Sequence, residues 1–255
     1  MVAGKQTAIF GPYRFSTQDR ATLDRDGHFL LPALLTSQAC ERLTESLADI
    51  ESLRGSAVEG QNPRRFSAEF DGYLESLIGH PQLLELARNV LGQEIRYDHC
   101  VALNRSGDDQ GIGWHSHGYA EDDPALGFVR IFFYVNGFEP DDGGLKVVSG
   151  SHLFRDPDIR ARTDAELQMG WMAGKMHPKS GEALEIEALS VPPGTVALMW
   201  AHAAHAVSPR RPGSDTRWAV VYAYRNPGQP SRARWISEEF ERNPSPGAEG
   251  LMSLY

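Results

Sequence analysis

Val129-Arg-Ile-Phe-Phe-Tyr-Val-Asn-Gly-Phe-Glu-Pro-Asp-Asp-Gly-Gly-Leu-Lys-Val-Val148 contains two short runs of β-branched and aromatic residues, at 129–135 and 145–148, separated by a turn rich in Asn, Gly, Pro and Asp. Such runs are too short for core helices and are bounded by residues that break regular structure, so each reads as a buried strand. Working outward, the same signature recurs at 95–103, 196–200 and 218–224. Further punctuation falls at 107–113 (GDDQGIG), 192–194 (PPG) and 210–215 (RRPGSD).

The earlier part of the chain reads differently. Residues 36–53 carry Leu43, Leu47, Ile50 and Leu53 at helical spacing, with Thr36 or Ser37 placed to cap the start. Residues 81–91 (PQLLELARNVL) form a second helical stretch, with Pro81 in its first turn and Gly92 just beyond its end. Helices followed by many short strands predict an α+β, mainly β domain: a double-sheet jelly roll with flanking N-terminal helices. The expected organisation is a single domain over 1–255, with helical support at 1–93, a β core at 94–226 and a tail at 227–255. Residues 156–187 show no clear pattern and read as an insertion in that core, of the kind that serves as a lid or substrate loop.

Bulk properties exclude several classes. A net charge of −9 with a pI near 5.5 argues against nucleic acid as a partner, because a phosphate backbone needs a basic face. No run approaches the roughly 18 apolar residues of a membrane helix, and residues 1–16 lack an apolar core of signal-peptide length. Two cysteines far apart in sequence, Cys40 and Cys100, do not make a disulfide framework, so a reducing cytoplasm is the expected setting.

Histidines carry the chemical argument. In Trp114-His115-Ser116-His117 the two imidazoles are two positions apart, so an extended backbone points both to one face, where they can grip one metal ion. Alone, this spacing more often describes two histidines of a polar loop. The strand after Pro193-Gly194 delivers His202 and His205; His202 reads as a hydrogen-bonded core histidine, and His205 as the better candidate for a third ligand. Arg217 enters an apolar strand, where burial is costly unless its planar fork meets an anion. That anion is either a bound carboxylate or a local Asp or Glu in a structural salt bridge. The cations Arg64, Arg65, Arg130, Lys175 and Lys179 read as solvated surface charges that an acidic substrate can meet, and Met169, Trp171 and Met172 as pocket lining or packing of the insertion.

Taken together, Trp114-His-Ser-His117, the strand 129–136, the run from Glu139 to Gly150-Ser-His152, the opening Gly27-His-Phe-Leu-Leu-Pro32, the segment from Pro193-Gly194-Thr195 to His205, and Arg217 resemble the phytanoyl-CoA dioxygenase family, which includes ectoine hydroxylases. The resemblance spans about residues 26–224. It implies a double-stranded β-helix of the cupin-like kind, holding Fe(II) and using 2-oxoglutarate and O₂ to oxidise a small-molecule substrate. By position, His115 is the first ligand and His205 the distal one. Arg217 receives the far carboxylate of 2-oxoglutarate with Ser208 assisting, and His152 belongs to a structural turn.

The chain departs from the family pattern at one place. His117 stands where the family has a metal-binding Asp, so the expected site is His115, His117 and His205. Neutral imidazole in place of carboxylate leaves the site one positive charge richer. The alternative readings are a three-histidine zinc hydrolase, or a catalytically silent member that binds a small ligand. Nearby carboxylates at Glu121, Asp122 and Asp123 are too far along the chain to share the strand face.

Overall fold

Helix caps set the N-terminal layer. In the computed structural model, which describes residues 7–54 and 61–255, Ser16 and Asp19 form a reciprocal capping box on α1 (Thr17–Asp26), and the helix ends on Gly27 at φ 87°. Strand β1 (His28–Leu31) follows. Thr36 caps α2 (Ser37–Ser52) by accepting from Ala39 N, as its position predicts. The short α3 (Ser67–Phe70) and α4 (Gly72–Ile78) lead into α5 (Pro81–Leu91), whose bounds match the expected ones, with Gly92 at positive φ.

The strands then run β2 (Arg96–Ala102), β3 (Ile112–His115), β4 (Phe128–Tyr134), β5 (Leu145–Val148), β6 (Arg160–Ala161), β7 (Ile186–Ala188), β8 (Thr195–Trp200), β9 (His205–Val207) and β10 (Ala219–Arg225). A short helix α6 (Asp164–Met169) lies between β6 and β7. Two five-stranded antiparallel sheets result, ordered β1-β8-β4-β10-β2 and β6-β3-β9-β5-β7. This is the expected jelly roll. One difference is that β1, within the segment read as helical support, is the edge strand of the first sheet, paired with β8.

Strand parity explains why β4 is buried along its whole length. Val129, Ile131 and Phe133 face the helices, in one apolar cluster with Leu43, Leu47, Ile50, Leu74 and Leu83. Phe132 and Tyr134 face inward, in a second cluster with Val101, Leu145, Val147, Met199 and Val221. Both faces are covered, so the sequence shows a continuous apolar run instead of an alternation. The tail also joins the first cluster through Ala248, Leu251 and Met252.

The insertion is only partly what the sequence suggests. Leu167, Met172 and Leu184 pack with Trp114, and Asp164 accepts from Trp114 Nε1 at 2.9 Å and pairs with Lys146 at 2.7 Å. Because Trp114 and His115 alternate along β3, most of the insertion covers the outer face of the second sheet instead of capping the interior. Trp171 stacks edge-on against Phe154 and Met172 is buried, whereas Met169 is exposed.

Candidate metal centre and anion pocket

β3 and β9 are neighbours, and their register sets His115 directly opposite His205. The two rings lie 4.1 Å apart, centroid to centroid. His115 Nδ1 sits 2.9 Å from Gly113 O, and His205 Nδ1 2.9 Å from Ala203 O. A carbonyl only accepts, so each Nδ1 carries the proton and each Nε2 keeps its lone pair, the arrangement a metal-binding imidazole needs.

His117 lies two residues beyond the end of β3, and its ring is on the side of His115, as expected. His117 N donates to Ala201 O at 3.0 Å, and the ring comes to 5.0 Å from His115 and 5.3 Å from His205. Candidate ligand atoms of the three lie within 4.8 Å of one another, close enough for small ring rotations to bring three lone pairs onto one ion. Glu121, Asp122 and Asp123 are not part of this cluster. Burial pushes His115 down to about 4, with Arg130 and Arg160 adding to it, and burial with Arg130 nearby also holds His117 and His205 well below the usual histidine range. The cluster is therefore neutral at ordinary pH.

A second site lies beyond β9. Arg217 is 2 % exposed, and its guanidinium carbon is 5.7 Å from the rings of Tyr134 and Phe138. Its Nε and Nη1 have no partner, and neither has the buried Oγ of Ser208. Neighbouring buried arginines each have a carboxylate: Arg105 pairs with Asp109 at 2.6 Å and Arg210 with Asp142 at 3.3 Å, although the Nε of each also lacks a hydrogen bond. Arg217 pairs with no carboxylate among the described residues, so the local salt bridge that the sequence left open is not formed. Burial, with Arg105 and Arg210 close by, lowers Arg217 to about 10, which still leaves it charged. A buried fork with two orphaned donors beside an orphaned hydroxyl fits a carboxylate.

The remaining residues sort cleanly. His202 is buried and accepts from Tyr119 N at 3.4 Å, the core role expected of it. His152 packs on Gly27 and contacts Asp24 O, a structural role. Arg64 donates to Asn104 O, Arg65 lies over Trp235, Lys175 over Trp171, and Lys179 donates to Asp24 O. Arg130 is the exception. It is 7 % exposed, not solvated, and its Nη1 lies 2.6 Å from His117 Nε2, which must accept from it. The sequence signal for this was available: a lone cation inside a strand whose every other residue is apolar or aromatic. The buried Asp98, which accepts from Arg225, His99 and Ser231, has no such place among the expected residues.

The buried histidines outside the cluster give a pH prediction. Burial lowers His202 to about 4 and His152 to about 3. The unfolded chain then binds protons that the folded chain refuses, so stability is full above about 6.5 and declines as pH falls toward 4. Each histidine contributes up to about 1.4 kcal/mol per pH unit across that window. Urea unfolding at pH 7.5 and 5 is expected to show the loss, and His202→Gln to reduce it; a midpoint that does not move with pH contradicts this account.

Comparison with known proteins shows the family and the fold. The family model described as Phytanoyl-CoA dioxygenase (PhyH) matches residues 23–217. Among solved structures, EctD from S. alaskensis with 2-oxoglutarate and 5-hydroxyectoine superposes with TM-score 0.62 at 20% identity, covering 83% of this chain and 76% of that one. HygX from Streptomyces hygroscopicus with nickel and 2-oxoglutarate gives 0.63 at 17%, covering 87% and 90%. The epimerase SnoN in complex with Fe³⁺, alpha ketoglutarate and nogalamycin RO gives 0.60 at 16%, covering 82% of each. No curated protein matches.

Proposed function

The chain belongs to the phytanoyl-CoA dioxygenase family of non-haem iron, 2-oxoglutarate-dependent oxygenases, and on that premise we propose that it oxidises an unactivated C–H bond of a small-molecule substrate at an ion held by His115, His117 and His205. The observation that carries the reading is the pairing of this neutral three-imidazole cluster with an unpartnered buried arginine, Arg217, on the same sandwich. When bound, iron and 2-oxoglutarate supply the oxidation of the substrate at the expense of O₂.

The chain's residues do the rest. Gly113 and Ala203 hold the tautomers of His115 and His205, so no proton must leave before an ion binds. Arg217, with Ser208, fixes the remote carboxylate of the cosubstrate and thereby orients its keto-acid end toward the cluster. The apolar interior of Phe132, Val147, Met199 and Val221 keeps bulk water out. Among the described residues no helix is long and apolar enough to cross a membrane, and Cys40 and Cys100 are free. A cytoplasmic setting fits these facts.

His117 separates this reading from a zinc hydrolase or a silent binder. His117→Asp restores the residue the family pattern has. As an adapted ligand, His117 should tolerate this change with iron still bound, at an affinity loss of roughly 10–100-fold from misfit of the shorter side chain. Succinate formation by both proteins, with iron supplied anaerobically before oxygen, is the measurement. A parent that makes no succinate beside a variant that does would favour the silent-binder reading. Absence of 2-oxoglutarate binding by calorimetry would favour the hydrolase.

A further inference from the structure

Arg130 stands in a row across the first sheet, Met199–Arg130–Ala223–His99, facing inward toward the histidine cluster on the second sheet. Its flanks are apolar: Met199 and Ala223 beside it, and Phe132 two residues on, 5.1 Å from its guanidinium. Its only polar partner among the described residues is His117, and its Nε has none. The nearby Asp98 is already taken by Arg225, His99 and Ser231. A buried guanidinium without a carboxylate is an incomplete arrangement, since burial of a cation is compensated only by pairing.

The space it faces is a cavity of about 90 Å³ beside His117. Two more arginines line it, and both are otherwise engaged: Arg160 Nη1 donates to Ser116 O, and Arg232 is exposed and lies 3.4 Å from Asp158. Arg130 is left as the buried cation of a cavity that no Asp or Glu lines, and such a cation marks a site for an anion. The departure at position 117 sharpens this. Where the family pattern places a carboxylate, this chain has an imidazole with a guanidinium against it, so the negative charge missing from that corner has to come from a ligand. Arg217 with Ser208 accounts for the cosubstrate's remote carboxylate, and its keto-acid carboxylate is directed to the ion, leaving Arg130 for another anion.

We propose that this cavity is the substrate subsite, and that the substrate is a small molecule carrying an oxyanion, a carboxylate or phosphonate-type group, which Arg130 binds next to His117. The position of the anion relative to the reacting centre rests on the oxygenase reading; the existence of the anion site does not. Arg130 then leaves the His117 lone pair for the anion, which frees that imidazole for the ion. Recognition of the charged group in this way places the adjoining carbon of the substrate at the cluster.

The test uses the full chain loaded with zinc, which does not turn over, and saturated with 2-oxoglutarate. Propionate, ethylphosphonate and the uncharged propionamide are titrated by calorimetry and NMR. Propionate or ethylphosphonate is expected to bind at least tenfold more tightly than propionamide, and whichever is tighter names the oxyanion. Arg130→Gln should lower that affinity at least tenfold while 2-oxoglutarate affinity stays within about twofold, with Arg130→Lys intermediate. Repeating the titration without zinc separates a guanidinium from a metal ion as the partner: the preference for the anion over the amide should persist.

Equal binding of amide and anion, no binding of either anion, or an unchanged affinity in Arg130→Gln overturns the proposal. So does a parallel loss of 2-oxoglutarate affinity, which would assign Arg130 to the cosubstrate. If Arg130→Gln does not fold, Arg130→Lys and the metal-free amide comparison decide. A protein that fails to bind 2-oxoglutarate at all refutes the oxygenase reading, while the metal-free titration still judges the anion site.

Discussion

His205→Ala is expected to lower metal affinity by about 100-fold or more, beyond the roughly 10–100-fold that loss of an outer-shell partner costs. The expectation follows from the register. His205 is buried opposite His115, and its Nδ1 is held by Ala203 O, so its Nε2 faces the cluster in a fixed orientation. Nothing nearby replaces it. His202, three residues earlier, is engaged with Tyr119 N and lines a different cavity, together with Arg155 and Trp200. His202→Gln is therefore the matched control, and it should retain metal. Competition against a chelator, followed by metal analysis, reads both variants. Iron retained at parental affinity in His205→Ala, or lost from His202→Gln, would rule out the assigned ligand set.

Those two histidines also show how far a sequence can be read. His205 and His202 both follow an apolar strand, and parity cannot separate them, because the chain turns between β8 and β9. The resemblance to a family selected His205; the register opposite His115 gives the physical reason. His117 was selected by extended alternation, and its ring does lie beside that of His115, although the β3 ladder itself stops at His115. What holds it there is Ala201 O, a long-range hydrogen bond that local spacing does not encode.

Helices with caps and strong apolar periodicity were legible to within a residue or two, as α2 and α5 show, because caps and periodicity are local. The short α3 and α4 were not, because they are stabilised by packing on α2 and β2 more than by their own sequence. Arg130 was misread as a surface charge for a related reason. Its neighbours Val129 and Ile131 point to the helices, so the face that carries Arg130 is the inner one, but only the completed sandwich shows that this face is covered. The insertion at 156–187 was legible as an irregular segment, whereas its attachment to Trp114 and Lys146 depends on strand partners distant in sequence.

Arg217→Leu is expected to separate function from stability. Truncating one member of a buried, hydrogen-bonded charge pair costs about 2–5 kcal/mol of binding, so 2-oxoglutarate affinity should fall by roughly 30-fold to several thousandfold at 1.4 kcal/mol per decade. The fold should respond in the opposite sense. Without a bound anion, Arg217 is a buried cation with two orphaned donors and two other arginines nearby, lying against Tyr134 and Phe138. The shorter, apolar Leu removes that burden, so thermal stability in the absence of cosubstrate should hold or rise. Adding 2-oxoglutarate should then raise the melting temperature of the parent and leave that of the variant nearly unmoved, because only a ligand that binds the folded state shifts its stability. Ser208→Ala should show the same pattern on a smaller scale, about 0.5–1.5 kcal/mol for one neutral hydrogen bond. Calorimetric titration and ligand-dependent melting check both variants. A variant that loses stability while keeping its affinity for 2-oxoglutarate would make Arg217 a structural residue, and the carboxylate pocket would have to be sought elsewhere on the sandwich.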